Sequence, residues 1–498
     1  MYKLVGTVTG EVQLHKFDFI VSGEVRLNEY VKVWNELDGW VLARVVKLVD
    51  ADKKRATAEV IGYKDDRGFL MQPNSTLSPS DKVFKADRAF IIETLGLRSG
   101  GIYLGLLNGR NIPVYLSKEE LIQKHCSILA KTGSGKSYTA GVLIEELLEK
   151  NVPLLIIDPH GEYITLKYEN RSEEERRQME KYGITPRSYA SKVVVYTPTN
   201  FSINPNADRL FRIDGINLSV KELYDLFPMS DAQLGVLYQS INDIKSQKEF
   251  YTIEDIIKKV SESKSSARWR IIHFLERIRE TGILSDSPTR IEELVKVGQA
   301  SIIDMKGAEP ELQRLIVYRI CKEVFEGRKM NKIPPLMLVI EEAHNFCPER
   351  GFEKAVSSNI LRTIASEGRK FGLGLLVISQ RPARVDKNVI SQCNTQIILR
   401  VTNPNDIRAL SRGLEFMSSE MEEEIKRIPQ GVALLSSPGI EMPILVDVRV
   451  RRSEHGGRAV DFGDKEEGSK NEVEGRGESE SEVQERKKGI FARLFSIT

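Results

Sequence analysis

The sequence predicts an α/β protein: a parallel-sheet core, preceded by a small β-barrel and interrupted by a helical insertion. Three observations carry this. The stretch Ala130–Ser137 (AKTGSGKS) is a glycine-rich turn between a short apolar run, Ser127-Ile128-Leu129, and a helical pattern, Tyr138–Glu149. Two near-continuous apolar runs, Val152–Asp158, which ends in an acid, and Leu336–Ile340, which is followed by Glu341-Glu342, read as strands buried on both faces of a parallel sheet. The first 95 residues read as short strands and turns, whereas residues 206–298 carry apolar positions at helical spacing.

Bulk properties set bounds. A chain of 498 residues holds two to four domains. Hydrophobic residues make up 41% and charged residues 29%, a balance expected of a soluble globular protein. The formal net charge is +2, so any basic surface must be local, such as a channel lining. Cys126, Cys321, Cys347 and Cys393 lack CxxC spacing and read as reduced, buried thiols. No apolar run approaches a membrane span and the N-terminus lacks a signal-peptide core, so a cytoplasmic protein without membrane attachment is expected.

In chain order, Lys3–Thr9, Phe17–Val21, Tyr30–Trp34, Trp40–Val49 and Thr57–Tyr63 read as barrel strands, and residues 1–95 as an assembly or docking module. Leu95–Val114 reads as a glycine-rich connection. Residues 96–205 form the first part of the core. In its turn, Gly133 and Gly135 allow positive φ, and successive N–H groups cradle an anion at a helix start. Thr132, Gly133, Ser134, Gly135, Lys136, Ser137 and Tyr138 are the nucleotide-binding set; Lys136 would reach the β- and γ-phosphates and Ser137 ligate Mg²⁺. Ala130 stands where the first glycine is expected, a small residue that still fits.

Asp158-Pro159-His160-Gly161-Glu162-Tyr163 ends the next strand, either as a contact behind the nucleotide or as a turn held by Asp158. Glu169–Lys181 reads as a solvated helix and Val193–Tyr196 as a strand. Residues 206–298 are the insertion, with helices over Val220–Phe227, Leu234–Ile244, Ile253–Val260 and Ala267–Arg279. Trp269, His273 and Phe274 are assigned to core packing. Residues 299–452 complete the core, with Ser301–Asp304 a strand and Pro310–Phe325 a helix.

Glu341-Glu342-Ala343-His344 follows the Leu336–Ile340 strand. Glu341 would hold Mg²⁺ through water, and Glu342 would orient and polarise the attacking water. His344 has no second histidine at helical spacing and reads as a hydrogen-bonded helix-start residue. Phe352–Lys370 reads as a helix and Phe371–Gln380 as a strand, with Gln380 at its end to sense the γ-phosphate. Arg369 could stabilise transition-state charge at a neighbouring subunit's site. Gln396–Arg400, Val432–Leu435 and Ile444–Val450 close the sheet. Residues 453–498 read as a disordered tail, whose Lys487–Thr498 segment gathers Ile490, Phe491, Leu494 and Phe495 on one helical face.

AKTGSGKSYTAG, IIDPHGEY, Asn204-Pro205, VIEEAHNF, SEGRKFG and VISQRP, in this order, resemble the HerA-type branch of the HerA/FtsK translocases over residues 1–450. The resemblance implies a RecA-like P-loop ATPase core that uses ATP and Mg²⁺. It implies a homo-hexameric ring that pulls double-stranded DNA through its channel. The N-terminal barrel would support assembly and docking of a NurA-type nuclease, and the pair would resect DNA ends for recombinational repair in archaea. It places the catalytic roles on Lys136, Glu342, Gln380 and Arg369, the last as a trans arginine finger, and the metal roles on Ser137 and Glu341. Lys124 matches weakly a basic residue that assists in some relatives. The DNA-contacting loops do not transfer; Arg350, Lys354, Arg384 and Lys387 are candidates because they are basic and flank nucleotide-coupled strands.

Other function classes are less well supplied. A superfamily-2 helicase, suggested by the EEAH tetrad, needs a second RecA-like core that residues 381–450 are too short to provide. A nuclease lacks a second acid or histidine cluster. A related P-loop pump or ATP-dependent assembly switch would lack DNA-stimulated hydrolysis.

Overall fold

The computed structural model describes residues 3–50, 54–226, 229–413 and 419–456. Its barrel is closed by antiparallel strands Leu4–Gln13, Lys16–Val21, Tyr30–Asn35, Gly39–Val49, Arg55–Lys64 and Lys82–Lys85. Closure comes from pairing of Lys16–Val21 with Arg55–Lys64. The five expected strands are all present; the four-residue Lys82–Lys85 strand has too little alternation to stand out. Val5, Phe17, Phe19, Val31, Val33 and Val41 fill its interior.

The segment expected to be a plain connection is structured. Arg88–Leu95 is a helix, capped by Asp87 and closed by Gly96 at φ 69°. Ile102–Leu107 and Pro113–Leu116 form a hairpin that joins the large sheet. That sheet has twelve strands, eight of them parallel, among the described residues. The parallel set runs, in spatial order, Arg209–Leu210, Val193–Thr197, Ala300–Asp304, Leu154–Asp158, Leu336–Ile340, Leu373–Ser379, Cys126–Leu129 and Thr395–Ile398. Val432–Ser436, Ile444–Val448 and the hairpin extend it antiparallel.

The apolar runs behave as expected of strands covered on both faces. Leu155 and Ile157 pack into one hydrophobic cluster with the insertion, while Leu154 and Ile156 pack into another with the Lys136–Glu149 helix. The insertion is built on helices Val220–Leu226, Asp231–Gln247, Ile253–Ser261 and Arg268–Glu280, with the short Ile291–Leu294 helix and a parallel pair of two-residue strands, Ile213–Asp214 and Leu284–Ser285; its first strand, Arg209–Leu210, belongs to the large sheet. Trp269 and His273 depart from their expected core role: Trp269 is 63% exposed, under the Arg268 guanidinium, and His273 is exposed, whereas Phe274 is buried. The Phe352–Lys370 helix is shorter than expected, Ser358–Glu367 followed by a 3-10 turn over Gly368–Phe371. Glu173–Tyr182 is the charged helix, starting at its Ser172 cap. All four cysteines are buried and free.

The first residues of the expected tail are structured: Ser453 is fully buried and hydrogen-bonded, within described residues that run to Gly456. The rest of the expected tail, with the Lys487–Thr498 peptide, lies outside the described residues. No described helix is long and apolar enough to cross a membrane.

His125 precedes the Cys126–Leu129 strand at φ 55°. Its Nδ1 accepts from Leu375 N–H at 3.0 Å and its Nε2–H donates to the Ala365 carbonyl at 3.0 Å, which the neutral ring alone can do. Burial pushes its pKa from 6.5 down to about 4. Between those values the unfolded chain binds a proton that the folded chain excludes, so stability falls as pH is lowered through this window. The full loss from this ring approaches about 3 kcal/mol. His125→Gln is expected to flatten the slope of thermal midpoint against pH between 6.5 and 4, measured by calorimetry beside wild type. An unchanged slope would refute the neutral buried ring.

Candidate functional site

The glycine-rich turn hangs between the two strands that flank its own. Ala130 N–H donates to the Ser379 carbonyl at 3.2 Å, and Lys131 N–H to the Arg400 carbonyl at 2.9 Å. Ser134 Oγ donates to the same Arg400 carbonyl at 3.1 Å. Ala130 is fully buried, its methyl joining the apolar cluster under the sheet, so the missing glycine costs the loop nothing visible. Gly133 and Gly135 take φ of 75° and 94°. The Lys136–Glu149 helix starts from Gly135 with no side-chain cap, which leaves its first N–H groups and positive dipole end for an anion.

Lys136 turns back from that helix into the sheet's C-terminal edge. Its ammonium contacts Glu341 and lies 3.2 Å from Glu342 Oε1. The reach crosses the intervening Leu373–Ser379 strand, which sits between the turn's strand and the Leu336–Ile340 strand. Glu341 is fully buried, and its Oε2 accepts from Tyr163 OH at 2.6 Å. Glu342 takes φ 49° and ψ 46°, a left-handed conformation that costs a non-glycine residue about 1 kcal/mol or more. Its buried Oε2 makes no hydrogen bond. His344 Nδ1 lies 3.2 Å from that oxygen, but is engaged with Ser379 Oγ at 3.1 Å. Burial holds the His344 pKa below its ordinary value, against the pull of Glu342. The helix-start role expected of His344 holds.

Gln380 ends its strand as expected, and its Oε1 accepts from Thr132 Oγ1 of the turn. Ser137 lies in the first turn of the helix, half-buried. Ser137 and Glu341 offer the hard oxygen donors that Mg²⁺ takes, and the unbonded Glu342 Oε2 is a further acceptor there. Tyr138 differs from its expected role. Its hydroxyl accepts from Arg451 N–H at 2.8 Å and its ring packs edge-on to His455 at 5.2 Å, so the side chain faces the C-terminal segment.

Of the two readings of Asp158, the structure supports the turn. Fully buried, it accepts from the N–H groups of Gly161 at 2.9 Å, Tyr163 at 3.0 Å and His160 at 3.3 Å. Burial pushes its pKa up to about 6, with the neighbouring Asp304 adding to the rise. This turn aims Tyr163 at Glu341. Tyr163 was not among the expected site residues, although it closes the Asp158–Tyr163 segment that drew notice; nothing in the linear pattern says which acid it meets.

Arg369 is exposed in the 3-10 turn before Leu373. The strand from Leu373 to Ser379 separates it by about 20 Å from its own turn, so it is not part of the site within this chain. Lys124 pairs with Glu120 at 3.4 Å, at the same far end of the sheet. Arg350, Lys354, Arg384 and Lys387 are all exposed. Two strand-end loops bring three of them together: Pro348 bridges Val385, Glu349 N–H donates to the Arg384 carbonyl at 2.8 Å, and Glu349 accepts from Lys387 N–H at 2.8 Å.

The chain is similar to known proteins along most of its length. Residues 102–324 match the family model described as the central domain of helicase HerA. The chain is 27% identical to a probable DNA double-strand break repair helicase HerA of Methanocaldococcus jannaschii, over 91% of this chain and 97% of that protein. It is 28% identical to the DNA double-strand break repair helicase HerA of Saccharolobus solfataricus, over 72% of this chain and 70% of that one. Among solved structures, VirB4 of Thermoanaerobacter pseudethanolicus superposes with a TM-score of 0.51 at 17% identity, covering 70% of this chain and 96% of that chain. That likeness bears on the fold alone. The resemblance drawn from the motifs is borne out.

Tyr163→Phe keeps the ring and removes the hydroxyl that holds Glu341. It is expected to slow nucleotide hydrolysis about tenfold, the order of one hydrogen bond to a charged group, with the thermal midpoint little changed. Undiminished hydrolysis in steady-state assays would show that Glu341 needs no such support.

Proposed function

We propose that this chain, a HerA-type P-loop ATPase, is an ATP-driven translocase of double-stranded DNA that works as a homo-hexameric ring with a NurA-type nuclease in DNA-end resection. The repair helicases among its relatives support the biological setting. The observation that carries the reaction is Glu342: a buried carboxylate beside Lys136, held in a left-handed conformation, with one oxygen unbonded.

In this reading the loop N–H groups and the helix start bind the phosphates, and Lys136 moves from the two acids to the β- and γ-phosphates. Ser137 and Glu341 would hold Mg²⁺, which supplies charge neutralisation at the phosphates when bound. Glu342 Oε2, freed of competing hydrogen bonds, accepts a proton from the attacking water. Neutral His344 can donate to it or to Ser379 without adding charge. Gln380, already joined to Thr132 of the loop, reports whether a γ-phosphate is present. Arg369 serves the neighbour's site, since the sheet separates it from its own. Arg350, Arg384 and Lys387 pass that report to the DNA backbone, with Lys354 farther along the same loop; their exposure on loops that leave the Glu342 and Gln380 strand ends supports this.

Hydrolysis measured with and without linear duplex DNA, on protein whose mass is determined in solution, tests the motor reading. A hexamer stimulated by DNA is expected; a monomer indifferent to DNA would overturn it and favour an assembly switch. Glu342→Gln is expected to bind ATP with turnover reduced at least ~100-fold, and normal turnover would remove Glu342 from its role. For Arg369→Ala, hydrolysis should be lost in uniform rings. Mixing with Lys136→Ala subunits should restore it, because some sites then combine an intact Lys136 with a neighbour's intact Arg369. No recovery on mixing would argue against action in trans.

A further inference from the structure

The phosphate-loop helix is buried on a polar face that the proposed reaction does not use. Along Lys136–Glu149, Tyr138, Gly141, Glu145 and Glu146 line one side at helical spacing. A single segment, Arg449–Ser453, meets all four. Tyr138 OH accepts from Arg451 N–H at 2.8 Å. The Arg451 guanidinium lies over Gly141, where an added Cβ would stand 2.7 Å from its Cζ, so any larger residue there would displace the guanidinium. Glu145 pairs with Arg449 at 2.9 Å and accepts from Ser453 Oγ at 2.6 Å and from the N–H groups of Ser453 and Arg452. Glu146 pairs with Arg449 at 3.0 Å and accepts from Tyr103 N–H. Glu145, Arg449 and Ser453 are fully buried, as is Arg451.

The same segment then crosses to the other half of the site. Asn170 and Arg187 N–H groups hold the Arg452 carbonyl, and Glu454 N–H donates to Tyr168. It ends with Gly456 so close over Glu162 and Thr165 that a Cβ would stand 2.9 Å from the Thr165 side chain and 3.1 Å from the Glu162 carbonyl. Between those two residues in the chain is Tyr163, the partner of Glu341.

We infer that Arg449–Gly456 is a positioning strap for the nucleotide site, joining the phosphate-loop helix to the Tyr163–Glu341 pair so that strap engagement and nucleotide binding favour each other. The inference rests on the proposed ATPase reading. The strap's residues touch no phosphate; they act through Tyr138, Glu145, Glu146 and the segment around Tyr163. By linkage, a strap that favours the nucleotide-competent arrangement must itself be tightened by nucleotide to the same extent.

Amide hydrogen exchange of residues 449–456 in the full chain, with and without a non-hydrolysable ATP analogue and Mg²⁺, tests this, with analogue binding measured on the same sample. Exchange is expected to slow about fivefold or more on binding, the lower end of typical coupling between sites. Removing a buried arginine risks unfolding, so the variant is Ser453→Ala, which takes one hydroxyl from Glu145 and Arg451. It is expected to weaken analogue binding about fivefold, the order of one charge-assisted hydrogen bond, in a protein that stays folded with its thermal midpoint lowered by a few degrees. Glu180→Ala, an exposed position on the Glu173–Tyr182 helix outside the strap, should bind as wild type does. Analogue bound with unchanged exchange, or unweakened binding in Ser453→Ala, overturns the strap alone. Failure of wild type to bind any nucleotide overturns the ATPase reading, and the strap with it.

Discussion

The buried ion cluster of Lys136, Glu341 and Glu342 is the constraint on which the rest depends. Taking an ammonium and two carboxylates out of water costs several kcal/mol per ion unless partners are close and well placed. Those partners arrive from two strands separated by a third, so the register of all three matters. Leu129 stands beside Ser379 and Ile340 beside Val377, and slippage of either pair would strand a buried charge. The continuous apolar character of these strands supplies the two-sided burial that holds the register, and the polar strand ends then have nowhere to go but one edge.

The same helix is constrained again on its opposite side. Lys136 at its start faces the acids, while Glu145 and Glu146 two turns on face Arg449. Buried ion pairs are a weak source of net stability compared with apolar packing, but breaking one is severe because its partner is left uncompensated. Two such sets on one helix make its position nearly all-or-none. Gly141, placed mid-helix where glycine costs up to about 1 kcal/mol relative to alanine, is explained by the guanidinium that covers it. That is a local preference overruled by tertiary contact.

What could be read in the linear chain was whatever depends on period and spacing. Alternation exposed the long barrel strands, unbroken apolar runs exposed the parallel strands, and helical spacing exposed the insertion. The turn, the paired acids and Gln380 were legible because their chemistry needs particular residues at particular strand ends. Contacts between distant segments were not. Tyr163 meets Glu341 across 178 positions of sequence, and Arg449 meets Glu145 across 304. The hairpin of Ile102–Leu107 and Pro113–Leu116 was hidden because glycine-rich composition reads as a loop, while its pairing partner, Ile444–Val448, lies at the other end of the chain. Trp269 misled because periodicity places a residue on a helix face without saying whether another element covers that face. Ser453 misled because polar composition signals disorder only when no buried acid is waiting for it.

The sheet also has two chemically different ends. One carries the loop, both acids, Gln380 and the basic loops with Arg350, Arg384 and Lys387; the other carries His125, Lys124 and Arg369. If Arg369 completes a site, as proposed, a chain with that site at one end and the guanidinium at the other satisfies both by a head-to-tail contact, in which two different surfaces meet. Such contacts either close into a ring or run on as a filament, and a motor that encircles duplex DNA requires closure. On the proposed reading, then, the distance that excludes Arg369 from its own site is the feature that ties hydrolysis to assembly. An isolated subunit would hold the nucleotide among Lys136, Ser137 and Glu342 yet lack the charge needed to complete the transition state.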